Sequence, residues 1–387
     1  MIGDWKKISS IISRFKDLTT LGTANVVSSA ISAIFWFYMA SLLGTEHYGE
    51  VSYFLSIAGI VSTISFLGSG STIIVYTAKG EKIQSTIYLV TIIASVISSI
   101  VVFLLVHNPG VGLYVVGYGL FNLATADIIG RKLYKDYSKY LITQKILFVI
   151  AALGFYYLMG PQGVIIGFAA SFYPYFYRIY LGFKESKPST VALKSHFGFM
   201  MNSYTLDLSR AFSGNIDKLI VAPMLGFSLL GNYQLGNQFL SLLGLLPAVV
   251  YQYILPHDAS GNPNKKLKKA TIIVSIFIAV LGITLSPIIV PVLFPKFKES
   301  VEVIQIISLA IIPSTINLIY LSKFLGSEKN KIVVVGSGIY LLAQVFGILV
   351  LGKIYGINGV TAALVLASSA EAIYLFLMSK FYHKQGL

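Results

Sequence analysis

Apolar residues in this chain run on far longer than the amphipathic stripe of a soluble helix requires. A helix crossing a bilayer needs about 20 mostly apolar residues, and twelve stretches bounded by Gly, Pro, Asn or Lys clusters meet that need. In the first half they are approximately Thr19 to Leu43, Tyr48 to Thr77, Ile83 to Val106, Val111 to Gly130, Ser138 to Met159 and Gly163 to Gly182. In the second they are approximately His196 to Leu225, Leu229 to Pro256, Ala270 to Phe294, Ser300 to Ser322, Lys331 to Leu351 and Ile357 to Ser379. An even count puts both termini on one side of the membrane. The predicted class is all-α integral membrane, with about twelve transmembrane helices in two six-helix, pseudo-symmetric lobes around a central cavity.

The two halves echo each other. Leu43-Gly44 followed by Gly49 returns 182 residues later as Leu225-Gly226 followed by Gly231, and Gly160-x-x-Gly163-Val164 returns as Gly356-x-x-Gly359-Val360. Each glycine lies in a short turn between apolar segments. Paired six-segment halves are a common way to build a secondary transporter, with the substrate path between the repeats. The expected organisation is an N-terminal amphipathic helix over 1–18, an N-lobe over 19–182, an inter-lobe linker over 183–195 and a C-lobe over 196–387.

Charge fixes the orientation. With the N-terminus inside, the inner segments hold 23 of the 29 Lys and Arg, and the outer turns hold only Lys296, Lys298 and Lys353. The positive-inside rule then demands N-in, C-in. The net charge of +14 follows from this topology and from anionic inner-leaflet lipid, and calls for no nucleic acid. A runs-like segment such as Asn264-Lys265-Lys266-Leu267-Lys268-Lys269 reads as a topology anchor. The first 18 residues do not read as a cleavable signal, because Lys6, Lys7, Arg14, Lys16 and two aspartates interrupt any apolar core. Trp5, Ile8, Ile12 and Phe15 fall on one side of a helix, which suits an in-plane cytoplasmic position.

Composition adds exclusions. With 56% hydrophobic and 11% charged residues, against about 25% charged in a soluble domain, the chain is made for lipid. There is no cysteine, so no disulfide and no thiol chemistry. The longest connections, 183–195 and 257–269, are too short for a soluble catalytic or nucleotide-binding domain. No Gly-rich phosphate loop precedes a Lys-Ser or Lys-Thr pair, so no nucleotide is expected as the direct fuel. Neither enzyme chemistry, metal nor cofactor is expected. Gly68-Ser69-Gly70-Ser71 lies within an apolar run and reads as close helix packing.

Function must then rest on polar groups inside the spans, where a charge at helix centre costs about 2.5–3.5 kcal/mol on insertion scales. Segment seven is richest. His196, Ser203, Asp207, Arg210, Gly214, Asp217 and Lys218 share about 100° of its surface, opposite Met201, Leu208, Phe212 and Leu219. Counting ~1.5 Å per residue from Leu225 puts Asp217 ~12 Å and Arg210 ~22 Å down the span. At the repeat positions Asn25 aligns with Asp207, Ser28 with Arg210 and Ser32 with Gly214. Segment eight adds Gln234, Asn237, Gln238, Ser241 and Gln252 on one side. Four polar faces, two from each half, call for a water-accessible cavity.

Plainer roles compete. Asp207 and Arg210, at i and i+3, could neutralise each other, as could Asp217 with a lysine elsewhere. Ser and Asn stripes also serve helix packing. Lys145 and Arg178 sit near inner ends and would snorkel; Asp127 and Glu371 are less easily dismissed, though each lies within about two turns of the inner boundary. Phe172, Tyr173, Tyr175, Phe176, Tyr177 and Tyr180 read as an interface belt. Pro174, Pro247, Pro287 and Pro313 lie within spans, where they can kink helices.

The run Leu42-Leu43-Gly44-Thr45-Glu46-His47-Tyr48-Gly49 resembles the LGxxxYG turn of polysaccharide flippases in the multidrug/oligosaccharidyl-lipid/polysaccharide exporter superfamily. Asn215-Ile216-Asp217-Lys218-Leu219, followed by Leu225-Gly226 and Leu230-Gly231-Asn232-Tyr233, is similar to the block that opens the second lobe there. The resemblance implies a bilobal twelve-helix fold in the cell membrane and translocation of a polyprenyl-diphosphate-linked oligosaccharide from the inner to the outer leaflet, beside other glycan-assembly membrane proteins. With no helices beyond twelve, it implies a glycan other than the peptidoglycan precursor.

For that job Arg210 and Lys218 would attract the diphosphate. Asn25, Ser28, Ser32, Gln234, Asn237 and Gln238 would face sugar hydroxyls. Asp207 and Asp217 would couple to an ion gradient. A cation or drug antiporter of the same superfamily and a lipid scramblase are the competing readings.

Overall fold

A computed structural model describes the backbone of residues 2–185 and 187–384, and leaves the side chains of 2–19, 190, 192 and 383–384 outside the described set. The expected in-plane position of residues 1–18 rests on those side chains. Among the described residues the chain is helical throughout, without a strand. In chain order the helices are α1 (Ile2–Phe66), α2 (Ser69–Ala78), α3 (Gln84–Val106), α4 (Pro109–Gly130), α5 (Tyr134–Met159), α6 (Pro161–Ala170) and α7 (Phe176–Glu185). They continue as α8 (Thr190–Leu225), α9 (Phe227–Leu243), α10 (Leu245–Ala259), α11 (Lys265–Leu293), α12 (Ser300–Ser308), α13 (Ile311–Gly326) and α14 (Asn330–Lys384).

Two of these helices fold back on themselves. In α1 the single non-helical residue is Gly44, at φ 73°. The rings of Trp36 and Tyr48 lie 6.3 Å apart across it, whereas twelve residues of straight helix would separate them by ~18 Å. In α14 the reversal is at Gly356, at φ 58°. Among the described residues seven helical stretches are long and apolar enough to cross a membrane, α1, α14 and the joined α12–α13 among them, and the pair α9–α10, bent by 45°, makes an eighth. Counting each reversal, and adding α8 and the broken α6–α7 segment, gives the twelve spans expected. The protein is a multi-pass membrane protein.

The glycine echo has a physical basis. Gly44, Gly160, Gly226 and Gly356 all hold positive φ, a region that residues with a Cβ enter only at a cost. After two of these turns the second glycine of the motif lets the returning helix touch the outgoing one. A Cβ on Gly163 would overlap the carbonyl of Phe155, and a Cβ on Gly359 would overlap that of Leu351, eight residues back in each case. Three of the four prolines mark breaks. Pro174 sits in a 3-10 turn between α6 and α7, Pro247 follows the bend at Gly244, and Pro313 opens α13 just after α12 ends. Pro287, together with Pro291, is carried inside an α11 that stays helical.

By packing, the chain forms two compact units, Met1–Phe35 with Ile57–Ala211, and Trp36–Ser56 with Phe212–Leu387. The boundary falls inside α1 and α8. In the first unit α4 is the buried centre, and it carries an aromatic core. Phe148 and Phe168 lie 4.0 Å apart, and Phe172 contacts Tyr114, Phe121 and Phe168. This splits the expected interface belt: Phe172 and Tyr175 are buried core residues, whereas Tyr173, Phe176, Tyr177 and Tyr180 are exposed. Arg178 does not snorkel. Its guanidinium donates to Asp127 Oδ2 at 2.7 and 3.1 Å, while Arg131 Nε donates to Asp127 Oδ1 at 2.8 Å and a second Arg131 nitrogen reaches Glu185. The second unit has its core around Val221, Leu230, Tyr233, Val303, Ile307 and Val360.

Candidate functional site

Inside the second unit the faces of α8, α9, α13 and α14 turned toward one another enclose a cavity of about 540 Å³. From α8 it takes Ser213, Gly214, Asp217 and Lys218, and from α9 Gln234, Asn237 and Gln238. The remaining polar wall comes from Ser314 and Asn317 of α13 and from Tyr340, Gln344, Ser368 and Glu371 of α14. The i, i+3, i+4 spacing of Asp217 with Gly214 and Ser213, and of Gln234 with Asn237 and Gln238, puts each set on one helical face.

The two acids differ in what holds them. Asp217, 3% exposed, accepts the Tyr233 hydroxyl on Oδ2 at 2.9 Å and the Lys218 ammonium on Oδ1 at 3.1 Å. Lys218 folds back far enough to donate also to the Gly214 carbonyl at 2.9 Å. The neutralising lysine is therefore the next residue in sequence. Glu371 has no cation beside it among the described residues. Its Oε2 accepts the Asn317 amide at 2.9 Å, and the same amide donates to the Ser368 carbonyl at 3.1 Å.

With Asp217 and Lys218 paired to each other, Glu371 is the remaining acid of the cavity wall. The wall also holds polar atoms with nothing to bond. Ser213 Oγ, Gln234 Oε1, Asn237 Nδ2, Asn317 Oδ1 and Gln344 Oε1 are buried and without a hydrogen-bond partner among the described residues. Gln344 is only 1% exposed. A buried polar group left unpaired costs about 1–3 kcal/mol, so five in one cavity, four acceptors and one donor, suit water or a polyhydroxylated group. Among the described residues there is no cluster of three or more His, Cys, Asp and Glu that could hold a metal ion.

A family model described as polysaccharide biosynthesis protein matches residues 15–111, a stretch that contains the Gly44 turn. A search of curated protein sequences finds no match. Among solved structures the chain resembles the lipid II flippase MurJ in an inward closed conformation, with TM-score 0.75 and 16% identity over 93% of this chain and 87% of that one. It also resembles an inward-facing multidrug resistance MATE family transporter of the MOP superfamily, with TM-score 0.74 and 12% identity over 92% and 94%. A MOP superfamily transporter from Pyrococcus furiosus, described as having reversed pocket polarity, matches with TM-score 0.60 and 13% identity over 95% and 93%. The fold is that of the MOP-superfamily transporters. The resemblance first carried by the Gly44 and Gly226 turns thus extends over almost the whole chain.

Within this transporter fold, five of the ten residues expected to serve the site meet in the cavity: Asp217, Lys218, Gln234, Asn237 and Gln238. The other five belong to the first unit. Asn25 is exposed and Ser28 and Ser32 carry buried hydroxyls without partners. Arg210 is exposed, Asp207 is half-buried, and no ion pair joins them among the described residues.

Sequence reasoning passed over Asn317, Tyr340 and Gln344, and marked Glu371 as hard to dismiss as structural without giving it a role at the site. A signal did exist. Ser337, Tyr340 and Gln344 recur at i, i+3 and i+7 along one helix, and Leu364, Ser368 and Glu371 at i, i+4 and i+7.

Proposed function

We propose that the protein is a membrane transporter that carries a polyprenyl-diphosphate-linked oligosaccharide from the cytoplasmic to the outer leaflet by alternating access, driven by a cation gradient. One observation carries this reading: a polar cavity, walled by unpaired carboxamide and hydroxyl oxygens and one unpaired carboxylate, lies inside a helical bundle whose surroundings are lipid. Intramembrane ionisable groups of this kind persist where a path or a coupling site uses them. The match of residues 15–111 to a polysaccharide biosynthesis family model supports this substrate class, and the fold shared with a lipid II flippase and a multidrug transporter supports this mode of action. No step of chemistry on the substrate is required.

The roles follow from charge. Arg210 is exposed and unpaired, so its planar fork is free for two oxygens of a diphosphate. Lys218 is engaged by Asp217 and would contribute only if that pair opened. Gln234, Asn237, Gln238, Asn25, Ser28 and Ser32 present amide and hydroxyl groups suited to sugar. Asp217 acts as a fixed charge, while Glu371 and Asp207 are the acids free to exchange a cation during the cycle.

The test is leaflet accessibility of a fluorescent polyprenyl-diphosphate oligosaccharide in liposomes holding the purified protein, with and without a proton or sodium gradient. Arg210→Ala is expected to abolish flipping at normal expression, and Arg210→Lys to restore it only in part. Lys353→Ala, on an outer turn, is expected to be silent; equal activity of the Arg210 and Lys353 variants refutes the assignment. Glu371→Gln is expected to flip at the same rate with or without a gradient, because the amide keeps the Asn317 contact and removes the exchangeable charge. A gradient response equal to that of the parent would rule out Glu371 as the coupling group.

The unpaired Glu371 also gives a specific reason to test a cation or drug antiporter. Efflux of a cationic dye from the same liposomes, with no glycolipid movement, would favour it. Flipping insensitive to every gradient would favour a scramblase.

A further inference from the structure

The two units handle positive charge differently at the side that the lysine and arginine distribution assigns to the cytoplasm. In the first unit Arg178 and Arg131 both meet Asp127, and Arg131 meets Glu185 as well. In the second unit three half-buried lysines come together from separate stretches: Lys268 in the first turn of α11, Lys323 in the last turn of α13 and Lys329 just before α14. Lys323 lies within electrostatic reach of the other two and of Lys265.

The acid among them is already engaged. Asp258, near the end of α10 with its side chain 4% exposed, accepts the Lys268 ammonium at 2.6 and 2.7 Å and the Ser322 hydroxyl at 2.6 Å. Lys323 reaches a hydroxyl, Ser379 Oγ at 2.7 Å, and Lys329 stands over the Tyr382 ring at 3.8 Å. Glu328 is exposed, and among the described residues neither Lys323 nor Lys329 has a carboxylate partner. Topology asks only for the number of lysines on this side, and exposed ones such as Lys266, Lys269 and Lys331 answer that in water. Half-buried cations drawn from three elements repel one another, and an anion between them would offset that repulsion.

The surface beside the cluster is apolar. Ile373, Phe376, Leu377 and Phe381 are exposed along the last turns of α14, where acyl chains would cover them. A ligand with an anionic head and acyl chains matches both parts, whereas a free phosphate matches one. Basic pockets between helices at the cytoplasmic leaflet take phospholipid headgroups, and the ammonium of lysine suits a phosphate as a point charge.

We propose that Lys268, Lys323 and Lys329 form a binding site for the phosphate of an anionic glycerophospholipid of the inner leaflet. None of the three lines the cavity of the second unit, so the site is separate from it and does not depend on which substrate the protein carries.

The chain has no cysteine, so Phe381→Cys, an exposed position next to Tyr382, can carry a single bimane in the full-length protein. In phosphatidylcholine vesicles, a trace of phosphatidylglycerol with a nitroxide high on one acyl chain is expected to quench the bimane more than the same trace of identically labelled phosphatidylcholine. Lys323→Gln with Lys329→Gln is expected to lower that preference about fivefold for each charge removed. Lys82→Gln with Lys187→Gln, two exposed lysines of the first unit, is expected to leave it unchanged. Equal quenching by the two lipids in the parent, or an equal loss in both double variants, would overturn the site.

Competition identifies whose phosphate is bound. Unlabelled phosphatidylglycerol is expected to restore the fluorescence at a lower mole fraction than a polyprenyl diphosphate, and inorganic phosphate at constant ionic strength to leave it unchanged. Displacement by the polyprenyl diphosphate first would make the cluster a loading point for the transported lipid. Displacement by inorganic phosphate would make it a site for the free anion. Either result overturns the assignment to a membrane phospholipid.

Discussion

Gly49→Ala and Gly231→Ala should each cripple transport and lower the thermal midpoint, and by similar amounts. Each added methyl would fall on a backbone carbonyl oxygen, of Phe227 or of Thr45, and backbone cannot rotate away as a flexible side chain would. Overpacking of this kind costs about 1–3 kcal/mol, and more where the neighbour is rigid. Because both methyls demand the same separation of the two turns, the double variant should lose less than the sum of the singles. Gly154→Ala is the control, since a Cβ there meets nothing within 4 Å. Thermal unfolding and flipping of the four variants check this; a Gly49→Ala protein with parental midpoint and rate would refute the close approach.

Asp127→Ala should cause the second large loss, this time of folding rather than of transport alone. The carboxylate is 1% exposed and holds Arg178 and Arg131 together at the ends of α7 and α4, with Gln84 of α3 donating to it at 3.4 Å. Removing one partner of a buried charge pair costs about 3–5 kcal/mol, because the other charge is left uncompensated. Among the described residues Arg131 has a second acid, Glu185, to fall back on, and Arg178 has none. Arg178→Gln should therefore rescue part of the loss, and Asp127→Ala with Arg178→Gln should melt above Asp127→Ala. A double variant no more stable than the single would mean that the acid acts through something other than its pairing with Arg178.

Much of the architecture was legible because lipid imposes simple rules. Apolar length pointed to the spans, and the glycine spacing pointed to turns that do hold positive φ. The half-site on α8 and α9 was legible for the same reason that a helix has faces: Asp217, Gln234, Asn237 and Gln238 stand at spacings that share a side. What was not legible depends on distance through space. Nothing in the sequence brings Glu371 beside Asn317, 54 positions apart, or separates Asp207 from Asp217 into different packing units along one unbroken helix. Arg178 and the buried aromatics Phe172 and Tyr175 failed for a related reason. Proximity to a span end suggests water or headgroup, and only the fold reveals an acid or another ring waiting there.

The one-residue reversals at Gly44, Gly160, Gly226 and Gly356 have a consequence for how the cell's surroundings meet this protein. In the N-in topology that the lysine and arginine distribution predicts they face outward, and each leaves almost no polypeptide standing clear of the membrane. A protease, antibody or phage tail arriving from outside would find few handles beyond the short connection 294–299, which carries Lys296 and Lys298. Epitope tags for surface detection would belong there or at His107–Asn108 between α3 and α4, since an insertion at any of the four glycines would undo the helical hairpin that the turn closes.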